Sequence, residues 1–300
     1  MKRFEKRFFA ALLLSSFMTF PANAHRAWVL PSATQVEGES PYVTFDAAVS
    51  EGLFDFDHIP VKLDALVIMG PDGQPVTPEN IATGKRRSVF DLKLTQAGTY
   101  RIGISATNLM ASYVLHGEQK RWRGTEAEMA AAIPAGAENV QVTRTESRNE
   151  TFVTQGEASQ TVLAPIGKGL EIISLTHPSD LAAAKPARFR ALIDGKPAPD
   201  IDITIVPGGG RFRSATGDMS VKTDAVGEVT VTLPAAGMVW LGASWPRRVE
   251  VLGGPIGPEG KPPIGAGPMP AAEGAPPPVP RAPAPPRRFS YSATYEVAPF

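Results

Sequence analysis

Ile201-Asp-Ile-Thr-Ile-Val206 decides the fold: apolar and polar residues alternate one by one, and the apolar set is β-branched. A period of two puts every second side chain on one face, which is a half-buried strand and not a helix. Working outward, Arg188-Phe-Arg-Ala-Leu-Ile193 runs into Asp194-Gly195, a hairpin turn signal. Glu228-Val-Thr-Val-Thr-Leu233 and Met238 to Ala243 read as two more strands.

The first half has the same style. Tyr42-Val-Thr-Phe-Asp-Ala-Ala-Val49 and Ala65-Leu-Val-Ile-Met69 are strand-like, and Pro71-Asp-Gly-Gln-Pro75 is a turn. Ser88 to Leu94 and Thr99-Tyr-Arg-Ile-Gly-Ile-Ser105 alternate as well. An internal echo links the halves. Leu94-x-x-Ala97-Gly98-x-x-x-Ile102-Gly103 matches Leu233-x-x-Ala236-Gly237-x-x-x-Leu241-Gly242, and Asp72-Gly-Gln-Pro75 matches Asp194-Gly-Lys-Pro197. The expectation is an all-β chain of two immunoglobulin- or transthyretin-like β-sandwich modules. They span residues 25–118 and 161–300, with 119–160 connecting them. Helix is confined to that connection, where Thr125-Glu-Ala-Glu128 is a capping-box pattern ahead of Met129 to Ile133. Within 139–154, Val140, Val142, Phe152 and Val153 are possible strand positions.

Residues 253–288 differ in kind. Thirteen of 36 are Pro and seven are Gly, a composition that buries no core and is expected to be disordered. Phe289 to Val297 alternates again, so the segment reads as an insertion between two strands.

Residues 1–24 read as a secretory signal peptide. Lys2, Arg3, Lys6 and Arg7 precede the apolar run Phe8 to Phe20, and Ala22-Asn23-Ala24 is a small-x-small cleavage pattern. The run is too short to span a bilayer comfortably. Cleavage after Ala24 would leave His25 first, in a periplasmic protein that is not membrane-embedded. The full chain has 30 basic and 30 acidic residues. Removing 1–24 takes away four basic and one acidic, leaving 26 against 29, a net of −3. That balance implies no basic face and hence no nucleic-acid partner. The absence of cysteine excludes disulfides and thiolate metal sites.

The four histidines are His25, His58, His116 and His177. At a mature N-terminus, His25 would offer its α-amine and its imidazole as one chelate, nitrogen donors suited to nickel, cobalt or copper. Asp55-Phe56-Asp57-His58 offers oxygen and nitrogen donors in what reads as a turn. Asp46 interrupts an apolar strand and needs a partner if buried. His177 precedes Pro178 at a strand end, and Arg121-Trp122-Arg123 is a basic-aromatic trio. His58, Asp57, His177 and Asp46 are the metal candidates beside His25, against the plainer reading of each as a surface or turn residue. Gly208-Gly-Gly210 lacks the strand–loop–helix setting of a phosphate cradle, and no nucleophile elbow or zinc helix is present. The chain is therefore expected not to be an enzyme.

Several stretches together resemble a bacterial periplasmic domain family of unknown function, labelled as the periplasmic component of cobalt or nickel uptake systems. They are His25-Arg-Ala-Trp28, Val43-Thr-Phe-Asp46, Leu53-Phe54-x-x-Asp57-His58-x-Pro60, Ser147-Arg148-Asn149-Glu150, Gly167-Lys-Gly-Leu-Glu171, Thr176-His177-Pro178 and Val206-Pro-Gly-Gly209. The resemblance implies a metal-binding accessory protein with His25, Asp57 and His58 as ligands and a membrane transporter as partner. Asp194-Gly-Lys-Pro197 and Thr223-Asp-Ala-Val-Gly227 are similar to carboxypeptidase-regulatory or transthyretin-like modules. Two other readings stay open: a non-enzymatic binding module for a polysaccharide or an outer-membrane transporter, and a copper oxidase built on an N-terminal histidine brace.

Overall fold

The computed structural model describes residues 25–246 and 285–300. The proposed signal segment and most of the Pro/Gly-rich insertion lie outside the described residues. Arg287 and Arg288, the last two residues assigned to that insertion, already belong to the final strand, Arg287–Val297.

The fold is all-β, as the alternating runs require, and it is built on one long sheet. That sheet runs Met219–Lys222, Asp202–Pro207, Gly237–Trp245, Arg287–Val297, Glu138–Gln155, Gly98–Leu115, Leu66–Met69, Pro75–Val76. A second sheet runs Arg26–Pro31, Tyr42–Ser50, Ser88–Lys93, Glu79–Thr83. A third holds Leu170–Ser174, Pro186–Ile193 and Lys196–Pro197, with Glu228–Thr232 on its other edge. Val29, Phe45, Phe90 and Leu92 of the second sheet pack on Tyr100 and Ile102 of the long one. Ile172, Phe189 and Val231 of the third pack on Ile203, Leu241, Tyr291 and Tyr295. A small third core of Trp28, Ala48, Leu53 and Val206 joins the two.

The internal echo has a backbone cause. Gly98 and Gly237 each open a strand with φ near +127° and +122°, a region closed to residues with a Cβ. A Cβ on Gly98 would stand 2.6 Å from Pro71 Cβ. The two Asp-Gly turns also recur, each with a left-handed glycine, Gly73 (φ 77°) and Gly195 (φ 76°).

The short helix forms at Glu126–Ala132, where the Thr125 N–H donates to Glu128 Oε2 at 2.8 Å. The polar stretch after it is an 18-residue strand, Glu138–Gln155, longer than its four apolar positions suggest. It pairs antiparallel with Gly98–Leu115 and parallel with Arg287–Val297. Flanked on both edges, it buries polar residues that blur the alternation: Asn149, Glu150, Thr151 and Thr154.

Glu150 accepts a hydrogen bond from Tyr291 Oη at 2.9 Å inside the C-terminal core. Burial pushes its carboxyl up, outweighing the nearby Arg148 and Arg101. A carboxyl held above its unfolded value lends full stability below that value, near 4.5, and loses it as pH rises toward the folded value. Glu150→Gln should therefore gain on the native protein in urea midpoint between pH 5 and pH 8. An unchanged difference between the two at both pH values would refute this.

Candidate functional site

The site is assembled by the register of one strand. Tyr42–Ser50 pairs on one side with Arg26–Pro31, Arg26 opposite Ser50. On its other side it pairs with Ile59–Pro60, Ile59 opposite Val49. Just beyond the two ladder ends, His25 meets Glu51 and the ring of His58. The end of one strand thus draws together residues 33 positions apart.

The imidazoles of His25 and His58 stack, with ring centroids 4.1 Å apart and 29° between planes. His25 Nε2 lies 3.4 Å from Glu51 Oε1, and both side chains are about half exposed. Asp57, in the same loop, holds the turn: its two carboxylate oxygens accept the N–H groups of Glu51 at 3.1 Å and Gly52 at 2.8 Å. Arg86 donates to the carbonyls of Asp57 and His58. Aromatic residues of the same loop and strand pack together. Phe56 sits 5.7 Å from Trp28, with the Arg87 guanidinium 4.4 Å over its other side. Trp28 is fully buried and donates its indole N–H to Ser50 Oγ at 2.7 Å.

The other candidates are placed elsewhere or occupied. Asp46 is partnered by Arg87 at 3.3 Å, and burial nonetheless raises its carboxyl above the ordinary value. His177 is buried beside the 3₁₀ turn Pro178–Asp180. Its Nδ1 accepts the Ser179 N–H at 3.1 Å, and its Nε2 lies 3.1 Å from both Thr99 Oγ1 and the Ser159 carbonyl. With Nδ1 accepting, Nε2 is the nitrogen that donates, and neither is left open. His116 occupies a left-handed position before Gly117 in a hairpin turn. The strand Glu118–Gly124 separates Trp122 from Arg121 and Arg123, because neighbours in a strand face opposite sides.

Glu51 escaped the sequence reading. Only the strand register, which pairing partners establish, puts it beside His25. Among the described residues, no three His, Cys, Asp or Glu side chains form a ready metal-holding group. What the site offers is two adjacent imidazoles and a flanking carboxylate. Glu51 takes the Nε2 side of His25, which leaves Nδ1, the ring nitrogen nearer the backbone, on the other side of the ring. A carboxylate on the far nitrogen of a metal-binding imidazole is a common arrangement that fixes ring orientation and raises basicity.

Among known families, one described as a domain of unknown function (DUF4198) matches residues 22–247. No curated protein matches the sequence. Among solved structures, a DUF4785 family protein from Legionella pneumophila is 8% identical with a TM-score of 0.23, covering 72% of this chain and 50% of that one. This chain therefore spans half the length of that relative. The D0-D1 domain of intimin is 12% identical, TM-score 0.19, with 72% and 88% covered. Alpha-2-macroglobulin from Escherichia coli is 12% identical, TM-score 0.21, with 75% and 14% covered. Among the described residues no helix is long and apolar enough to cross a membrane.

Proposed function

The chain belongs to the DUF4198 family, and from that premise we propose that it is an exported accessory protein that binds one divalent transition-metal ion for uptake. His25 would contribute its α-amine and Nδ1 once the chain is cut after Ala24, and His58 a third nitrogen. Three nitrogen donors suit nickel, cobalt and copper, with copper generally held tightest and cobalt weakest of the three. The observation that carries this reading is the His25–His58 stack at 4.1 Å, two imidazoles side by side, His25 exposed and His58 partly so. The partial exposure of the pair suits cargo that must be taken up and passed on to a membrane transporter.

The test is calorimetric titration of the protein beginning at His25 with nickel, cobalt and copper. One equivalent of ion should bind with release of protons, because the α-amine and the imidazoles are ligands only when unprotonated. Absence of binding by all three metals would remove the reading.

A further inference from the structure

We propose that residues 208–213, the turn that follows the strand Asp202–Pro207, set the His25–His58 pair in place by acting through Phe54. This rests on the metal-binding reading of the pair. Both imidazoles lie in the N-terminal quarter of the chain, yet the elements that carry them are gripped from the other side of the module junction. Phe54 adopts φ +64°, a left-handed backbone that is costly for a bulky side chain and persists only where the surroundings hold it. The hold is visible. Its ring meets Trp28 edge-on at 5.5 Å and packs against the joining core of Trp28, Leu53 and Val206.

Gly208 supplies the other wall. A Cβ there would stand 2.9 Å from Phe54 Cδ2 and 3.0 Å from the Met238 carbonyl, so the glycine is the space the ring occupies. The Gly208 N–H donates to that same carbonyl at 2.7 Å, fixing the segment to the strand Gly237–Trp245. Arg211, three residues on, reaches Asp55 Oδ1 at 3.1 Å. The loop is thus contacted at residues 54 and 55 by the turn that follows Asp202–Pro207. From there to His58 it is tied by its own hydrogen bonds: Asp57 caps Glu51 and Gly52, and the Asp55 N–H donates to the Gly52 carbonyl at 2.9 Å. The strand bearing His25 is held from the same side. Trp240 Nε1 donates to the Ala27 carbonyl at 2.9 Å, and Arg26 reaches Asp218 at 3.0 Å.

The experiment is Gly208→Ala in the chain beginning at His25, with folding checked by circular dichroism. The first readout is the imidazole carbon-bound proton signals of the metal-free protein by NMR. Stacked rings shift each other's signals, and the variant should lose that mutual shift. The second is nickel affinity, expected to weaken at least about tenfold, as when a partner that orients a ligand is lost. Phe54→Leu added to Gly208→Ala makes room for the new methyl and should restore part of both. If Gly208→Ala fails to fold, Arg211→Gln, which removes the Asp55 contact and the guanidinium over the Phe212 ring while leaving the Gly208–Phe54 packing, is judged by the same readouts. A folded variant that keeps both the native imidazole signals and native nickel affinity overturns the proposal. A native protein that shows the stacked signals yet binds none of the three metals overturns the metal reading instead, and the NMR comparison then decides this proposal alone.

Discussion

A chain carrying Gly-Ser-Gly-Ser ahead of His25 should bind nickel and copper at least about a hundredfold more weakly than the chain beginning at His25. Removing a partner that merely orients a ligand costs about 10–100-fold, and here a ligand itself is lost. The α-nitrogen becomes a peptide amide, whose lone pair is delocalised into the carbonyl, and the chelate with Nδ1 opens. The imidazole, Glu51 and His58 all remain, so the variant isolates the amine. His58→Ala removes the other ring of the stack and should cost a comparable factor while leaving the amine untouched. His177→Gln should leave affinity unchanged, since that ring is spent on Ser179, Ser159 and Thr99. Calorimetry on the four chains decides the matter: equal affinity for the extended and native chains would mean the amine takes no part.

Arg148→Met should lower stability by about 3–5 kcal/mol, the cost of leaving one member of a buried ion pair without its partner. That corresponds to a fall in Tm of roughly 10 °C for a chain of this size. Arg148 Nη1 donates to Glu171 Oε1 at 2.9 Å, and the two side chains are only 13% and 3% exposed. Glu171 also accepts the N–H groups of Ile166 at 2.8 Å and Gly167 at 2.7 Å. The pair thereby ties the strand Glu138–Gln155 to the start of the third sheet. Once the arginine is gone, two backbone donors remain to hold a carboxylate that water cannot reach. Arg188→Ala provides the contrast. Arg188 pairs with Glu228 but is 57% exposed, and Glu228 keeps Arg190 as a partner. Its loss should cost less than about 1 kcal/mol. Thermal unfolding of both variants checks the ordering; an Arg148→Met protein as stable as Arg188→Ala would contradict it.

The same pair shows what could be read early. Ser147-Arg148-Asn149-Glu150 and Gly167-Lys-Gly-Leu-Glu171 stood out as separate stretches of a family resemblance. Nothing in either stretch says that Arg148 and Glu171 meet, because a salt bridge depends on which strands lie side by side. The site behaves alike. His25 and His58 were legible as nitrogen donors from residue type and position alone. Glu51 was not, and Asp57 read as a metal-ligand candidate in a polar turn, its carboxylate taken as free. In the fold that carboxylate is turned onto two backbone N–H groups, as acidic side chains in turns commonly are.

Taken alone, the order of residues determined that this chain makes strands, where several of them turn, and that each alternating strand has one buried face. Alternation at a period of two and glycine at left-handed positions are local properties, and Gly98, Gly195 and Gly237 express them. The tertiary structure decided which strand lies beside which. It put Arg287–Val297 parallel to Glu138–Gln155, let one sheet serve both cores, and stacked His58 on His25. The physical reason is that period two tells a strand which way to face and says nothing of its neighbours. Neighbours are chosen by packing and hydrogen bonding between distant segments, such as Phe54 against Gly208.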